Sequence, residues 1–121
     1  ILFCKKEKIK LAFVSSTSKN NINAILYSLR NSINKEDFSF VGNSKLVKKF
    51  KPNPAIYLLA LKKLKLKAND CLAIEDTQES LNSAKRAKIK CIIFPGKFHS
   101  SRKFSGALKK VYRLNKNIIL R

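Results

Sequence analysis

The chain has 121 residues, of which 45% are hydrophobic, and it carries a formal net charge of +20. This length suits one compact domain or a piece of one, and the hydrophobic content is too high for a disordered tail. No apolar run approaches the ~20 residues of a membrane-spanning helix, so no membrane association is expected.

The positive charge comes mainly from lysines that are spread along the whole chain. Such a charge attracts polyanions in general. The chain shows neither a helix-turn-helix signature nor an interleaved aromatic pattern, and a bias towards Lys, Asn and Ile would produce the same composition. Nucleic acid is therefore not the expected partner.

The three cysteines, Cys4, Cys71 and Cys91, are widely spaced. Their number and spacing predict neither a disulfide framework nor a zinc site. Cys71 and Cys91 lie in apolar stretches and are expected to be buried, reduced thiols. Reduced thiols favour the cytoplasm, or an organelle stroma, as the compartment. The chain contains no methionine and starts at Ile1, so we expect it to be truncated at its N-terminus.

The first half of the chain predicts a strand, a helix and a second strand. Residues 9–14 form an apolar run, typical of a buried strand, that ends at the hydroxyl-rich run 15–18. Apolar side chains at helical spacing then predict a helix over residues 21–33; they are Ile22, Ile25, Leu26, Leu29 and Ile33. Residues 38–41 predict a short strand, and Gly42-Asn43 predicts a turn.

The second half predicts two helices that alternate with two strands. Asn53 is a plausible helix cap and Pro54 suits the first helical position, so a helix is expected over 54–64, with its Leu58–Leu61 run in the core. Residues 71–74 predict a buried strand, 79–87 a helix, and 91–94 a further strand stopped by Pro95-Gly96.

Alternating helices and continuously apolar strands predict an α/β fold with a largely parallel sheet covered on both faces. Ligands of such sheets bind beyond the carboxyl ends of the strands. The polar runs 15–18 and 75–77 directly follow strand ends, so both are expected on one rim. Lys51 lies just before its predicted helix, where it could reach the same rim.

These residue types suit a phosphate bound beside a divalent cation. The hydroxyl of Ser15 and nearby amides can donate to phosphate oxygens, and Lys51 supplies a positive charge. The carboxylates of Glu75 and Asp76 can hold Mg²⁺. Each feature alone has a simpler explanation: a helix cap, a solvated lysine or turn chemistry. His99, the sole histidine, is expected at the surface.

Three stretches, 10–17, 51–61 and 70–77, resemble motifs two, three and four of haloacid dehalogenase-like hydrolases in order and spacing. They are similar above all to CbbY-like and beta-phosphoglucomutase-like proteins, and Phe104-Ser105-Gly106-Ala107 resembles the region after the last core strand. The resemblance implies a Rossmann-like three-layer sandwich, of which residues 1–121 form the C-terminal part of the core domain.

The resemblance also implies roles for the rim residues. Ser15, with Ser16, would bind the phosphoryl group, and Lys51 would stabilise its charge. Asp76 would be the main Mg²⁺ ligand, and Glu75 a second ligand or the holder of a metal-bound water. The implied reaction is attack by an aspartate on phosphorus, followed by hydrolysis of the aspartyl-phosphate.

The first motif of the family, Asp-x-Asp-Gly-Thr, is absent from the chain, as is the cap domain. The resemblance implies that the first-motif strand lies between the strands 9–14 and 71–74. We therefore expect these two strands to flank a gap or to close upon each other, and the chain to be poorly stable unless another segment fills the slot. Asn43, Ser80 and Lys88 also depart from the family pattern, which is consistent with drift.

The predicted function is a Mg²⁺-dependent phosphatase that acts on a small phosphorylated metabolite, such as a sugar phosphate, with the nucleophile missing from this fragment. Three alternatives remain. The first is phosphoryl transfer like that of beta-phosphoglucomutase, and the second is an inactive basic remnant that binds polyanions. The third is a fragment with no function of its own.

Overall fold

The computed structural model describes residues 1–96 and 101–119. The helices are α1 (Leu2–Lys6), α2 (Lys19–Ser28), α3 (Ala55–Leu64) and α4 (Gln78–Arg86). The strands are β1 (Ala12–Phe13), β2 (Phe40–Val41), β3 (Leu72–Glu75), β4 (Lys90–Ile93) and β5 (Lys109–Lys110). Short 3₁₀ turns lie at Lys35–Asp37, Ala68–Asp70 and Lys116–Ile118. Within these ranges no helix is both long and apolar enough to cross a membrane. His99 lies outside the described residues.

All the described strand pairs are parallel, but they form two separate sheets. One sheet pairs β1 with β2, and the other has the order β3-β4-β5. The β3–β4 ladder is the longest, with Ala73 opposite Cys91 and Glu75 opposite Ile93. Parallel strands joined by helices confirm the predicted α/β class.

No ladder joins β1 to β3 among the described residues, so each of these strands is paired along one edge only. Of the two expected arrangements, the strands flank a gap and do not close upon each other. Along β1, the carbonyls of Leu11 and Phe13 accept from Ser39 and Gly42, on the β2 side. Because backbone groups alternate sides along a strand, those of Ala12 face away from β2.

The helix α3 holds the two sheets together. Its buried residues Ile56, Tyr57, Ala60 and Leu64 pack in one cluster with Phe40 of β2 and with Ala73 of β3. The cluster also contains Leu81, Ala84, Ala87, Ile89, Cys91 and Ile93. At the other end of the sheets, the Lys10 ammonium donates to the Leu64 carbonyl over 2.9 Å. The main core therefore lies between α3, α4 and one face of both sheets.

The opposite face of β3 is open. Leu72 and Ile74 are 36% and 41% exposed, whereas Ala73 between them is buried. Alternate residues of a strand point to opposite faces, so the two exposed side chains share one face. The edge of β3 that faces the gap thus adjoins an apolar, solvent-exposed surface.

Helix α4 follows its prediction closely, with Leu81, Ala84 and Ala87 buried. The prediction for α2 was wrong in extent, because the helix ends at Ser28 and not at residue 33. Its last carbonyls are taken by side chains: Ser28 Oγ donates to the Ile25 carbonyl and Arg30 donates to that of Tyr27.

Other departures are local. Ile25, Leu29 and Leu58 were predicted in apolar positions of helices, but all three are exposed. Helix α3 begins at Ala55 with Pro54 as its cap residue, although the Asn53 side chain still accepts from the Ala55 amide over 3.0 Å. Neither α1 nor β5 was predicted. The other strands match in place, but β1 and β2 are shorter than the predicted 9–14 and 38–41. The prediction that strand 71–74 is buried was wrong, because one face of β3 is exposed to solvent.

Candidate active site

Lys51 joins the carboxyl ends of the two sheets. Its ammonium lies 2.6 Å from Glu75 Oε1, at the end of β3, and 3.2 Å from the carbonyl oxygen of Val14, just beyond β1. The side chains of Lys51 and Glu75 are only 9% and 11% exposed. The two polar runs that were predicted to share one rim therefore lie close together, and Lys51 spans the distance between them.

The hydroxyl run after β1 lies beside Lys51. Ser16 Oγ accepts a long hydrogen bond of 3.4 Å from the Lys51 amide, and Ser15 Oγ accepts from the Thr17 amide over 3.1 Å. Both serines are half-buried. Because each hydroxyl oxygen acts as an acceptor in these bonds, each hydroxyl hydrogen stays available as a donor towards an anion.

The loop that carries Lys51 is anchored by α4. Ser83, which is fully buried, donates to the Asn53 carbonyl over 2.8 Å. Arg86 donates to the Pro52 carbonyl over 3.3 Å, and the Lys51-Pro52 peptide is cis. Ser83 was not among the predicted site residues. The feature of the sequence that could have indicated Ser83 is a hydroxyl residue between the apolar helix positions 81 and 84.

Tyr57 completes the surroundings of the ion pair. Its side chain is buried, and its hydroxyl donates a hydrogen bond to Glu75 Oε1, the same oxygen that contacts Lys51. The Lys51 ammonium lies 5.2 Å from the centre of the Tyr57 ring. Burial, together with the negative charge of Glu75, raises the pKa of Tyr57 far above its usual range, so the phenol remains a donor.

Among the described residues, no cysteine thiol is hydrogen-bonded to a rim residue. Burial, and then the charge of Glu75, raise the pKa of Cys91 to about 12, partly offset by Lys51. All three thiols are free. Cys91 is buried as predicted, whereas Cys71 is only half-buried; burial and then Asp70 raise the pKa of Cys71. Thiols held in the protonated form are poor nucleophiles and poor metal ligands.

The carboxylates available for a cation are those of Glu75 and Asp76. Asp76 is exposed and has no hydrogen bond or ion pair with any described residue. Oxygen Oε2 of Glu75 is also without a described partner. No cluster of three or more acidic, histidine or cysteine side chains occurs in the part of the chain that the structure describes. Mg²⁺ commonly binds one or two carboxylates plus water and substrate oxygens, so this pair fits Mg²⁺ better than a metal that needs a full protein cage.

The match to a known family spans the three stretches 10–17, 51–61 and 70–77. The sequence profile of the haloacid dehalogenase-like hydrolases matches residues 3–94. The chain belongs to this family. It is 33% identical over 103 residues to the protein CbbY of Cereibacter sphaeroides, an alignment that covers 85% of this chain and 45% of that relative.

Solved structures of the hydrolase family share the fold. The crystal structure of CbbY from Rhodobacter sphaeroides in complex with phosphate has a TM-score of 0.83 and 31% identity, and it covers 89% of this chain and 48% of that one. A mutant of the same protein was solved with xylulose-(1,5)bisphosphate. A protein assigned as a beta-phosphoglucomutase, from Thermotoga maritima, has a TM-score of 0.76 and 28% identity, covering 91% of this chain and 51% of that one. The chain thus spans about half the length of these relatives.

Proposed function

We propose that these residues form the part of a phosphatase that binds phosphate and Mg²⁺ and acts on a small phosphorylated metabolite, such as a sugar phosphate. The contact of Lys51 with both Glu75 and the Val14 carbonyl is the observation that carries this proposal. Around this contact, at the carboxyl ends of β1 and β3, lie the Lys51 ammonium, the hydroxyls of Ser15 and Ser16, and the carboxylates of Glu75 and Asp76. The matched CbbY structures with phosphate and with a sugar bisphosphate support the choice of substrate class.

In this proposal each residue has a separate task. Ser15 and Ser16 donate hydroxyl hydrogens to phosphoryl oxygens, and the Lys51 ammonium offsets the negative charge that builds up on the phosphoryl group. Asp76 and Glu75 hold Mg²⁺, which when bound supplies further charge stabilisation. The nucleophilic aspartate would come from outside residues 1–121, and its phosphorylated form would be hydrolysed by water.

A hybrid protein tests this proposal. The half of CbbY from Cereibacter sphaeroides that this chain does not match would be fused to the chain, and phosphate release would be measured from xylulose-1,5-bisphosphate and a panel of sugar phosphates. We expect release that requires Mg²⁺, is stopped by EDTA, and falls at least ~100-fold in a Lys51→Met variant. Lys49→Met, which removes an exposed lysine of the same loop, is the matched control. A folded hybrid with no more activity than its Lys51→Met variant would overturn the proposal.

Two other functions have some support. The similarity to the Thermotoga maritima protein favours phosphoryl transfer within a sugar. The same hybrid distinguishes this transferase from the proposed phosphatase, because a transferase moves the phosphoryl group between two positions of a hexose without net phosphate release. The net charge of +20 favours polyanion binding instead. That function predicts binding to heparin that weakens steeply with salt and is indifferent to Lys51→Met.

A further inference from the structure

Glu75 is held by two donors that both act on one of its oxygens. Lys51 and the Tyr57 hydroxyl contact Oε1, and no described residue bonds to Oε2. A glutamate side chain has three rotatable bonds, so a single contact leaves much of its freedom. Two contacts on one oxygen restrict the orientation of the carboxylate and leave the second oxygen as its available acceptor.

Tyr57 restrains both members of the ion pair. It donates to Glu75, and its ring centre lies 5.2 Å from the Lys51 ammonium, within the range of a cation–π contact. The ring is packed in the core cluster beside Ile56 and Ala60, so the hydroxyl has a fixed position relative to α3. The position of α3 therefore determines where Tyr57 contacts the two charged side chains, Glu75 and Lys51.

From this arrangement we infer that Tyr57 is a positioning residue: its hydroxyl fixes the Glu75 carboxylate so that Oε2 is presented to a divalent cation while Lys51 is kept beside it. The inference rests on the proposed function, since it concerns the same Mg²⁺ site. Hydrogen bonds that orient a metal-binding carboxylate commonly account for a 10- to 100-fold difference in metal affinity. A purely structural tyrosine would satisfy its hydroxyl with Glu75 and have no effect on metal binding.

Carbon-13 NMR of the whole chain, labelled at the glutamate carboxyl carbon, tests the inference. The chain has four glutamates, and the signal of Glu75 is assigned with Glu75→Gln. Two quantities are read for Tyr57→Phe: the Glu75 signal without metal, and the MgCl₂ concentration that half-completes its change. Tyr27→Phe is the matched control, because Tyr27 is exposed and contacts Arg30 instead.

We expect Tyr57→Phe to move the metal-free Glu75 signal and to raise the MgCl₂ midpoint roughly ten-fold, with no change for Tyr27→Phe. An unchanged Glu75 signal, or an unchanged midpoint, in a folded Tyr57→Phe protein overturns the inference. If the wild-type signal does not respond to MgCl₂ at all, the Mg²⁺ site of the proposed function fails. In that case the metal-free Glu75 signals of the wild type and of Tyr57→Phe still show whether Tyr57 positions the carboxylate.

A second measurement needs no substitution of Tyr57. In wild-type chain containing 3-fluorotyrosine, the fluorine signal of Tyr57 should move when MgCl₂ is added, and those of Tyr27 and Tyr112 should not. The response should be lost in Glu75→Gln, because the carboxylate that links the phenol to the cation is then replaced. A Tyr57 signal that ignores MgCl₂ while the Glu75 signal responds would overturn the inference.

Discussion

Replacing Lys51 with methionine leaves the Glu75 carboxylate without its cation. That carboxylate is 11% exposed, and its one remaining partner among the described residues would be the Tyr57 hydroxyl. Removing one member of a buried ion pair costs about 3–5 kcal/mol, because the other charge stays in a medium of low dielectric constant. We expect ~3 kcal/mol, the lower end of this range, since a tenth of each side chain is still in contact with water.

For 121 residues this loss corresponds to a melting temperature that is lower by ~12 °C. Removing both charges, in Lys51→Met/Glu75→Gln, should restore ~1–2 kcal/mol relative to Lys51→Met, because no unpaired charge is then buried. Urea denaturation followed by far-ultraviolet circular dichroism measures these free energies, with Lys49→Met as the control. A loss below ~1 kcal/mol for Lys51→Met, or a double variant that is no more stable than Lys51→Met, would refute the reasoning.

Three further predictions concern individual groups. The chain has no tryptophan, and burial raises the folded pKa of Tyr57, so absorbance at 295 nm should show the Tyr57 phenol ionising only on unfolding. Its stabilising effect is therefore complete below pH ~10 and is lost as the pH rises above this. Gly42→Ala would bring its new Cβ to 2.9 Å from Ile56 Cδ1 and should cost ~1–3 kcal/mol in urea denaturation, whereas Gly96→Ala, with no atom within 4 Å, should be neutral within ~0.5 kcal/mol. Cys91, with its pKa raised to about 12, should resist iodoacetamide at pH 8 and react only in denaturant; modification at the rate of an unfolded thiol would contradict its burial.

The rim could be predicted from the sequence because its members follow apolar strands directly. Ser15 and Glu75 come at strand ends, and parallel strands place those ends together, so the pattern alone indicates their proximity. The contacts of Lys51 with Val14 and Glu75 agree with this placement. What each of these residues does chemically stays a prediction.

The supporting residues could not be predicted in the same way. Tyr57 lies in the apolar stripe of α3, where a tyrosine resembles any other core aromatic, and Ser83 lies in the stripe of α4. Each gains its partner from a segment distant in the chain, 18 residues away for Tyr57 and 30 for Ser83. Strand β5 was missed because its two lysines carry no apolar pattern. It forms through backbone bonds from Leu108 to Cys91 and from Val111 to Ile93.

The unpaired edges of β1 and β3 also affect how copies of the chain behave towards one another. An open strand edge beside exposed aliphatic side chains, here Leu72 and Ile74, is a template for association with a second chain. A net charge of +20 opposes this, because two such molecules repel each other before their edges can meet. At ~1 M salt the screening length falls to about 3 Å, and this repulsion is largely removed. The lysine-rich surface thus acts as a colloidal stabiliser, and the solubility of the chain depends on ionic strength.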